Sequence, residues 1–351
     1  MERAGQFELA ADRIEQAAIP KYTLNNNTVM PCIGYGTFGS DHVTPKDVAE
    51  SVKTAVSLGY RQLDCARAYG NEKEIGAAIN EILASRLIKR EELHITSKIW
   101  NDRHKEGEVL ISCAETLRDL KLNYLDLYLI HWPFPNHHGP GCDDNERDPN
   151  AKPFNADRYL MVWHQMERLV DLGLVKSIGV SNMTIPKLDS VWPHMRIKPA
   201  VNEVELHPHL QQTGLLAYMK EKNILAIAHT PLGSPNRPDR DRTDDDTNIL
   251  DDPAISKIAK AHNIHPVTVC IKWAVQRGTL PVPFSTSRSH MLSNLRCCTE
   301  YPLADTEMND INSITTTNRF IKGTVLLWEG APSWRCLWDL NGEIDTGGWR
   351  E

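Results

Sequence analysis

This 351-residue chain has no cluster of Lys or Arg, and its 39 basic residues are outnumbered by 46 acidic ones, for a formal net charge of −7. That balance leaves no electrostatic footprint for nucleic acid, and none is expected as a partner. The eight cysteines include no C-x-x-C, and only Cys297 and Cys298 are adjacent. Neither a zinc ribbon nor a disulfide framework is indicated; reduced thiols in a cytoplasmic protein are expected. The first twenty residues, MERAGQFELAADRIEQAAIP, interleave charged and apolar side chains, so they read as neither a signal peptide nor a membrane span. No linker or low-complexity stretch interrupts the chain. What remains, 41% hydrophobic and 24% charged residues, is ordinary globular composition with ample material for a core.

After a hairpin in KYTLNNNTVMPCIGYG, with Asn25 to Asn27 at its turn, strand-like and helix-like segments alternate. Thr44 and Pro45 supply a cap and a first-turn proline for a helix over 45–58, whose buried face is marked by Val48, Val52, Ala55 and Val56. RQLDC, HITSKIW, LDLYLIHW, KSIGVSN, PAVNEVE, ILAIAHT and LPVPFS read as further strands, the last followed by a final helix from Ser289. Eight strands, each followed by helix, predict an α/β fold with a parallel sheet closed into a (β/α)8 TIM barrel, preceded by the β-hairpin and carrying extended loops at its C-terminal face. The expected organisation is an extension over 1–20, the barrel over 21–320 and a tail over 321–351.

One motif argues for a different fold. Gly34-x-Gly36-x-x-Gly39 has the spacing of a Rossmann dinucleotide fingerprint, with Asp64 where a ribose-binding acid would follow. A Rossmann helix opens at the third glycine, whereas here the helix start at Thr44-Pro45 comes later. The glycines therefore read as sites of close backbone approach at a strand end. Tyr218-x-x-x-Lys222, the spacing of a short-chain dehydrogenase pair, lies on an amphipathic helix and reads as an i, i+4 surface pair.

Four polar residues fall at the C-terminal ends of successive strands: Asp64, Tyr69 in the loop after it, Lys98 and His131. Barrel active sites are built on that face. Buried Asp and Lys are rare unless paired, so Asp64 and Lys98 are expected to satisfy each other. An ammonium beside Tyr69 would favour its phenolate, and a neutral His131 could hold a carbonyl oxygen. A routine core ion pair with an unrelated Tyr and His remains the alternative.

With these residues in view, the sequence resembles the aldo-keto reductase superfamily, of the aldose and aldehyde reductase kind. GYRQLDCARAYGNEKEIG, LYLIHWP and GLVKSIGVSNM are similar to family motifs, and the separations of 5, 29 and 33 residues along Asp64, Tyr69, Lys98 and His131 fit the family tetrad. The resemblance implies NAD(P)H-dependent reduction of small aldehydes or ketones, aldoses among the candidates, with Tyr69 as general acid. Lys98 and Asp64 would tune it, and His131 would orient the carbonyl. It further implies that Thr37, Asp64, Ser181 and Asn182 approach the nicotinamide, that Leu232 and Ser234 hold the pyrophosphate, and that Ser285, Thr286 and Asn294 hold the adenosine end.

Some positions depart from that pattern. Glu203 replaces a Gln at the carboxamide, and His229 replaces the Tyr that stacks on the nicotinamide. Phe284 and His290 stand where 2′-phosphate ligands are usual; Arg288 could supply the lost charge. NADP(H) is thus the family default, with NAD(H) left open. Phe38, Trp100 and Trp132, with His131, would line the substrate pocket. No metal is expected: His137-His138 with Asp143-Asp144, and His207-Pro208-His209, read as solvated loops, as does the polar run 234–252 by composition, although the resemblance implies that this run folds over the bound cofactor. The tail tryptophans Trp328, Trp334 and Trp338 read as hydrophobic cover. A cofactor-binding regulatory or channel-subunit-like protein on the same fold is the alternative function, with any protein partner unidentified. No membrane association is expected.

Overall fold

The computed structural model describes residues 7–40, 42–139, 148–233, 237, 242–244 and 246–340. Strands β1 (Lys21–Thr23) and β2 (Val29–Pro31) pair antiparallel as the expected hairpin. The strands β3 (Tyr35–Gly36), β4 (Gln62–Asp64), β5 (His94–Ile99), β6 (Leu125–Ile130), β7 (Val175–Ser181), β8 (Val201–Glu205), β9 (Leu225–His229) and β10 (Leu280–Pro281) then pair in parallel, each with its neighbour in sequence. Between them run α1 (Pro45–Leu58), α2 (Glu72–Ala84), α3 (Glu108–Leu120), α4 (Ala156–Asp171), α5 (Ile185–Val191), α6 (Thr213–Glu221), α7 (Pro253–His262) and α8 (Pro266–Gln276), with α9 (Arg288–Arg296) after β10.

The glycine pattern closes this ring. Gly34 N–H donates to Pro281 O at 3.0 Å and Gly36 N–H to Pro283 O at 3.1 Å, joining the first barrel strand to the last. A Cβ on Gly34 would fall 1.5 Å from Gln62 Oε1, one on Gly36 2.8 Å from the Val282 carbonyl oxygen, and one on Gly39 2.9 Å from the Val43 carbonyl oxygen. At Gly36 and Gly39 the obstructing atom is backbone, so a side chain is excluded there, and α1 begins at Pro45 with Thr44 Oγ1 accepting from Asp47 N–H. The motif is a barrel seam, not a Rossmann turn. Gly36→Ala is expected to cost about 1–3 kcal/mol in urea denaturation, because the obstructing atom is backbone and cannot rotate away. A variant as stable as the parent would show that the seam relaxes freely.

Strand alternation sorts side chains between two cores. Along β6, Tyr128 and Ile130 join the large cluster beneath the helices, while Leu127 and Leu129 pack inside the barrel with Val201, Ile227, Leu280 and Val282. The hairpin fills the N-terminal end of that interior with Leu24 and Met30. Its turn is pinned by Asn25 Nδ2 donating to Pro199 O and Asn26 Nδ2 to Lys176 O. With one end apolar and plugged, the inward-facing polar residues collect at the other.

Two chain segments lie against the barrel. Residues 7–20 run past the end of α1, where Ala10 N–H donates to Ser57 O and Ile14 N–H to Leu58 O. After α9 the structure adds a helix absent from the sequence reading, α10 (Asp305–Asn312). It buries Ile311 alone, so its apolar periodicity is too faint to read. The tail then packs Val325, Leu326, Leu337 and Trp338 against Trp132 and Phe134, with Trp328 and Trp334 partly buried beside them.

Candidate active site

The tetrad assembles at the C-terminal mouth. Asp64 ends β4, Lys98 points inward from β5, Tyr69 lies in the 3-10 turn Arg67–Tyr69 that follows β4, and His131 follows β6. Lys98 Nζ is fully buried; it donates to Asp64 Oδ2 at 2.7 Å, to Tyr69 Oη at 3.2 Å and to Cys65 O at 3.3 Å. Glu203 on β8 completes the surroundings of Lys98, with Oε1 3.3 Å from the ammonium. Its position beside Lys98 was not anticipated; β5 and β8 lie far apart in sequence and meet only across the closed barrel.

The electrostatics follow from one buried cation among three acidic groups. Burial alone would lower the Lys98 pKa, but the Asp64 and Glu203 carboxylates outweigh it and keep the ammonium firmly charged, well above the usual lysine range. The Tyr69 phenol is pushed up overall. Enclosure is the main cause, and Asp64 and Glu203 add to it, while Lys98 alone pulls the other way. The expected lowering by Lys98 is thus present but outweighed. His131 is driven well below its usual range, first by burial and then by Lys98, so it is neutral, and its Nδ1 is buried without a hydrogen-bond partner. Tyr69 and His131 stand edge to face, 5.8 Å between ring centroids.

An aromatic wall surrounds this polar pole. Phe38 is exposed at the rim and tilts against Tyr69 at 5.0 Å, and Trp100 meets the His131 ring at 5.2 Å. Trp132 is buried under the tail, 5.5 Å from Trp338. The tail is therefore hydrophobic cover and a wall of the mouth at once. It is tied down by Glu205, whose buried carboxylate accepts Phe320 N–H at 2.7 Å and Ile321 N–H at 2.9 Å.

The residues expected along a cofactor fall on or after β3, β4, β7, β8, β9 and β10 and in α9. Thr37 Oγ1 donates to Asp64 O, Ser181 Oγ to Glu203 O and Asn182 Nδ2 to His131 O, and His229 Nε2 faces Asn182 Oδ1 at 3.3 Å. Leu232 and Gly233 border a cleft of about 200 Å³ with Arg237 and Arg242; Ser234 lies outside the described residues. Ser285 and Thr286 precede α9, and Asn294 is buried within it. Arg288, the first residue of α9, forms an ion pair with Asp12 of the N-terminal segment. Phe284 packs against Tyr35, 6.0 Å between ring centroids.

Several sequence readings need correction. His207 is fully buried with Nε2 2.8 Å from Glu205 Oε1, and His209 is buried against Thr247 and Asp252, so neither is a solvated loop residue. The apolar environment that encloses them comes from tail and loop segments distant in sequence. Tyr218 does have Lys222 over its ring at 5.6 Å, but it is buried and its hydroxyl donates to Asp189 at 2.6 Å, so the pair is not a surface one. The described part of 234–252 is not all solvated: Arg237 is buried and paired with Asp246, and Ile249 is core. His137 and His138 lie in a loop whose Asp143 and Asp144 fall outside the described residues.

The chain is similar to known proteins in both sequence and fold. The sequence model described as the aldo/keto reductase family matches residues 32–316. An aldo/keto reductase of Synechocystis sp. is 41% identical over 319 residues, 91% of this chain and 96% of its own length. Aldo-keto reductase family 1 member A1-A of Danio rerio is 39% identical over 89% of this chain and 94% of its own length. Among solved structures, the aldose reductase from Schistosoma japonicum superimposes with a TM-score of 0.76 at 34% identity, covering 90% of this chain and 98% of that one.

Proposed function

The chain belongs to the aldo/keto reductase family, and from that premise we propose that it reduces small aldehydes or ketones, open-chain sugars among them, to alcohols, with Tyr69 as general acid. Its relatives support carbonyl reduction and an oxidoreductase in general, and the family generally uses NAD(P)H. The observation that carries the finer reading is the Tyr69 hydroxyl 3.2 Å from a fully buried ammonium that is itself held by Asp64.

A reduced nicotinamide cofactor would supply hydride to the carbonyl carbon, which leaves an alkoxide on the oxygen. What supports its binding here is the run of polar groups from Ser181, Asn182 and Glu203 past the arginine-bordered cleft to Ser285 and Asn294. The orphaned His131 Nδ1 beside Tyr69 offers a free hydrogen-bonding atom at the mouth. The raised phenol keeps Tyr69 protonated at neutral pH, so the acid is loaded before reaction. An alkoxide is a far stronger base than a phenolate, so the proton moves downhill from Tyr69 Oη to the substrate oxygen. Lys98 then faces the phenolate and stabilises it. Neutral His131 orients the carbonyl without competing as an acid, and the aromatic wall excludes water.

The cofactor preference turns on Arg288. Asp12 already pairs with its guanidinium, and a 2′-phosphate would have to displace that carboxylate or share the cation with it. We infer dual use, with NADPH favoured. The test is oxidation of NADPH and NADH by the purified protein with glyceraldehyde, beside cofactor affinities read by fluorescence titration. Removing the competitor in Asp12→Ala is expected to tighten NADPH binding about two- to five-fold, leaving NADH unchanged, since the pair is exposed. Equal changes for both cofactors would remove Arg288 from the phosphate site. If neither cofactor is consumed with any aldehyde, the reductase reading fails and the binding-protein reading replaces it.

A further inference from the structure

Glu203 gives the buried site one acidic group more than its single cation can balance. Lys98 Nζ has three protons and four oxygen neighbours: Asp64 Oδ2, Tyr69 Oη, Cys65 O and Glu203 Oε1. The two remaining carboxyl oxygens, Asp64 Oδ1 and Glu203 Oε2, are both buried without a hydrogen-bond partner. Two ionised carboxylates would leave a net negative charge walled off from water, with both of these oxygens bare. One added proton neutralises the cluster and gives the facing carboxyls a hydrogen bond to share.

We propose that Glu203 is a positioning residue whose carboxyl holds a proton shared with Asp64, and that this proton leaves Lys98 free to stabilise the Tyr69 phenolate. The inference rests on the reductase reading and adds to it a second ionisable group behind the general acid. When Glu203 loses its proton, two carboxylates compete for one ammonium and both oppose a third negative charge on Tyr69 Oη. Reduction then stalls although Tyr69 itself is still protonated.

No other neighbour can take over this role. From β9, His229 is held below its usual range by enclosure, and His131 beside β6 is neutral for the same reason. Cys65 stays a thiol because burial pushes it up. Ser181, the β7 partner of Glu203, and Ile227, its β9 partner, carry no ionisable group. Glu205, two residues along β8, is ionised and committed to His207 and the tail amides, its pKa lowered to about 2. Among the described residues Lys98 is the only cation at the cluster, and burial together with Asp64 raises Glu203 to about 8.

Infrared spectroscopy of the whole protein, read without substrate, tests the shared proton directly. A protonated-carboxyl C=O band is expected at pH 7, bleaching near pH 8. It should be missing in Glu203→Gln, whose amide keeps both the acceptor toward Lys98 and a donor toward Asp64. Glu72 is the control, since it too is buried and raised, with Ser97 and Thr116 hydroxyls donating to it. In single-turnover reduction the parent should lose about ten-fold between pH 7 and pH 9, as a group near 8 gives up its proton, and Glu203→Gln should stay flat over that window. A band that survives in Glu203→Gln and disappears in Glu72→Gln overturns the proposal. So does a parent spectrum with no carboxyl titrating near pH 8, which needs no variant. A titrating Glu203 band in a protein without turnover on any carbonyl would sink the reductase reading and leave the shared proton standing.

Discussion

Tyr69→Phe lowers single-turnover reduction about 10²–10⁴-fold, the range general acid catalysis supplies, while NADPH and NADH affinities stay within about two-fold. The variant keeps the ring that Phe38 and His131 pack against and removes one oxygen. Lys98 loses its 3.2 Å contact to that hydroxyl but retains Asp64, Cys65 O and Glu203, so no buried charge is stranded and the fold is unaffected. The effect is therefore confined to proton delivery. Hydride transfer to a carbonyl with no acid in place produces an unprotonated alkoxide, and the water-excluding wall offers no substitute donor. Stopped-flow loss of nicotinamide absorbance reads the chemical step free of product release. Turnover within about three-fold of the parent would remove Tyr69 from the reaction. Weakened cofactor binding with unchanged chemistry would instead make the hydroxyl a binding group.

How much of this could be read from sequence depended on whether the signal is local. The barrel is written in alternating strand-like and helix-like segments, and the four polar residues were legible because each lies at or just past the C-terminal end of a strand, where chain position alone puts a residue on that face of the barrel. The glycines could be separated from a Rossmann turn by the distance to Thr44-Pro45, though the seam they close, against Pro281 and Pro283, joins segments nearly the whole barrel apart. What could not be read was cross-barrel chemistry. Glu203 and Glu205 sit two residues apart on one strand, yet they reach Lys98 on β5 and the amides of Phe320 and Ile321. No spacing rule links such positions. Asp12 was equally invisible as a partner for Arg288, because the path of the N-terminal segment is set by tertiary packing and not by its own periodicity.

The same cross-barrel cluster makes Lys98→Met the variant with the largest expected effect on stability. Methionine fills the space with similar length, so the loss is one of charge: Asp64 and Glu203 remain buried with no cation between them. Breaking a buried ion pair from one side costs about 3–5 kcal/mol, and the Tyr69 phenolate loses its stabiliser as well, so turnover falls with stability. The pH dependence has a definite sign. Without Lys98 both carboxyls have folded pKa values above their unfolded values of about 4, so the folded state binds the extra protons. Stability is then fully present below about pH 4 and is lost as pH rises through the raised folded values. Urea midpoints measured between pH 5 and pH 8.5 should fall more steeply for Lys98→Met than for the parent, in which Lys98 opposes the burial of Asp64 and the rise of Glu203. The decisive comparison is the triple variant Lys98→Met, Asp64→Asn, Glu203→Gln. It carries no buried charge in this cluster, so it should recover much of the stability of the parent and lose the steep pH dependence while staying inactive. Such non-additivity is expected of groups in one network. If instead the three substitutions add, the cluster holds the fold by packing alone, and the buried charges answer only to the reaction.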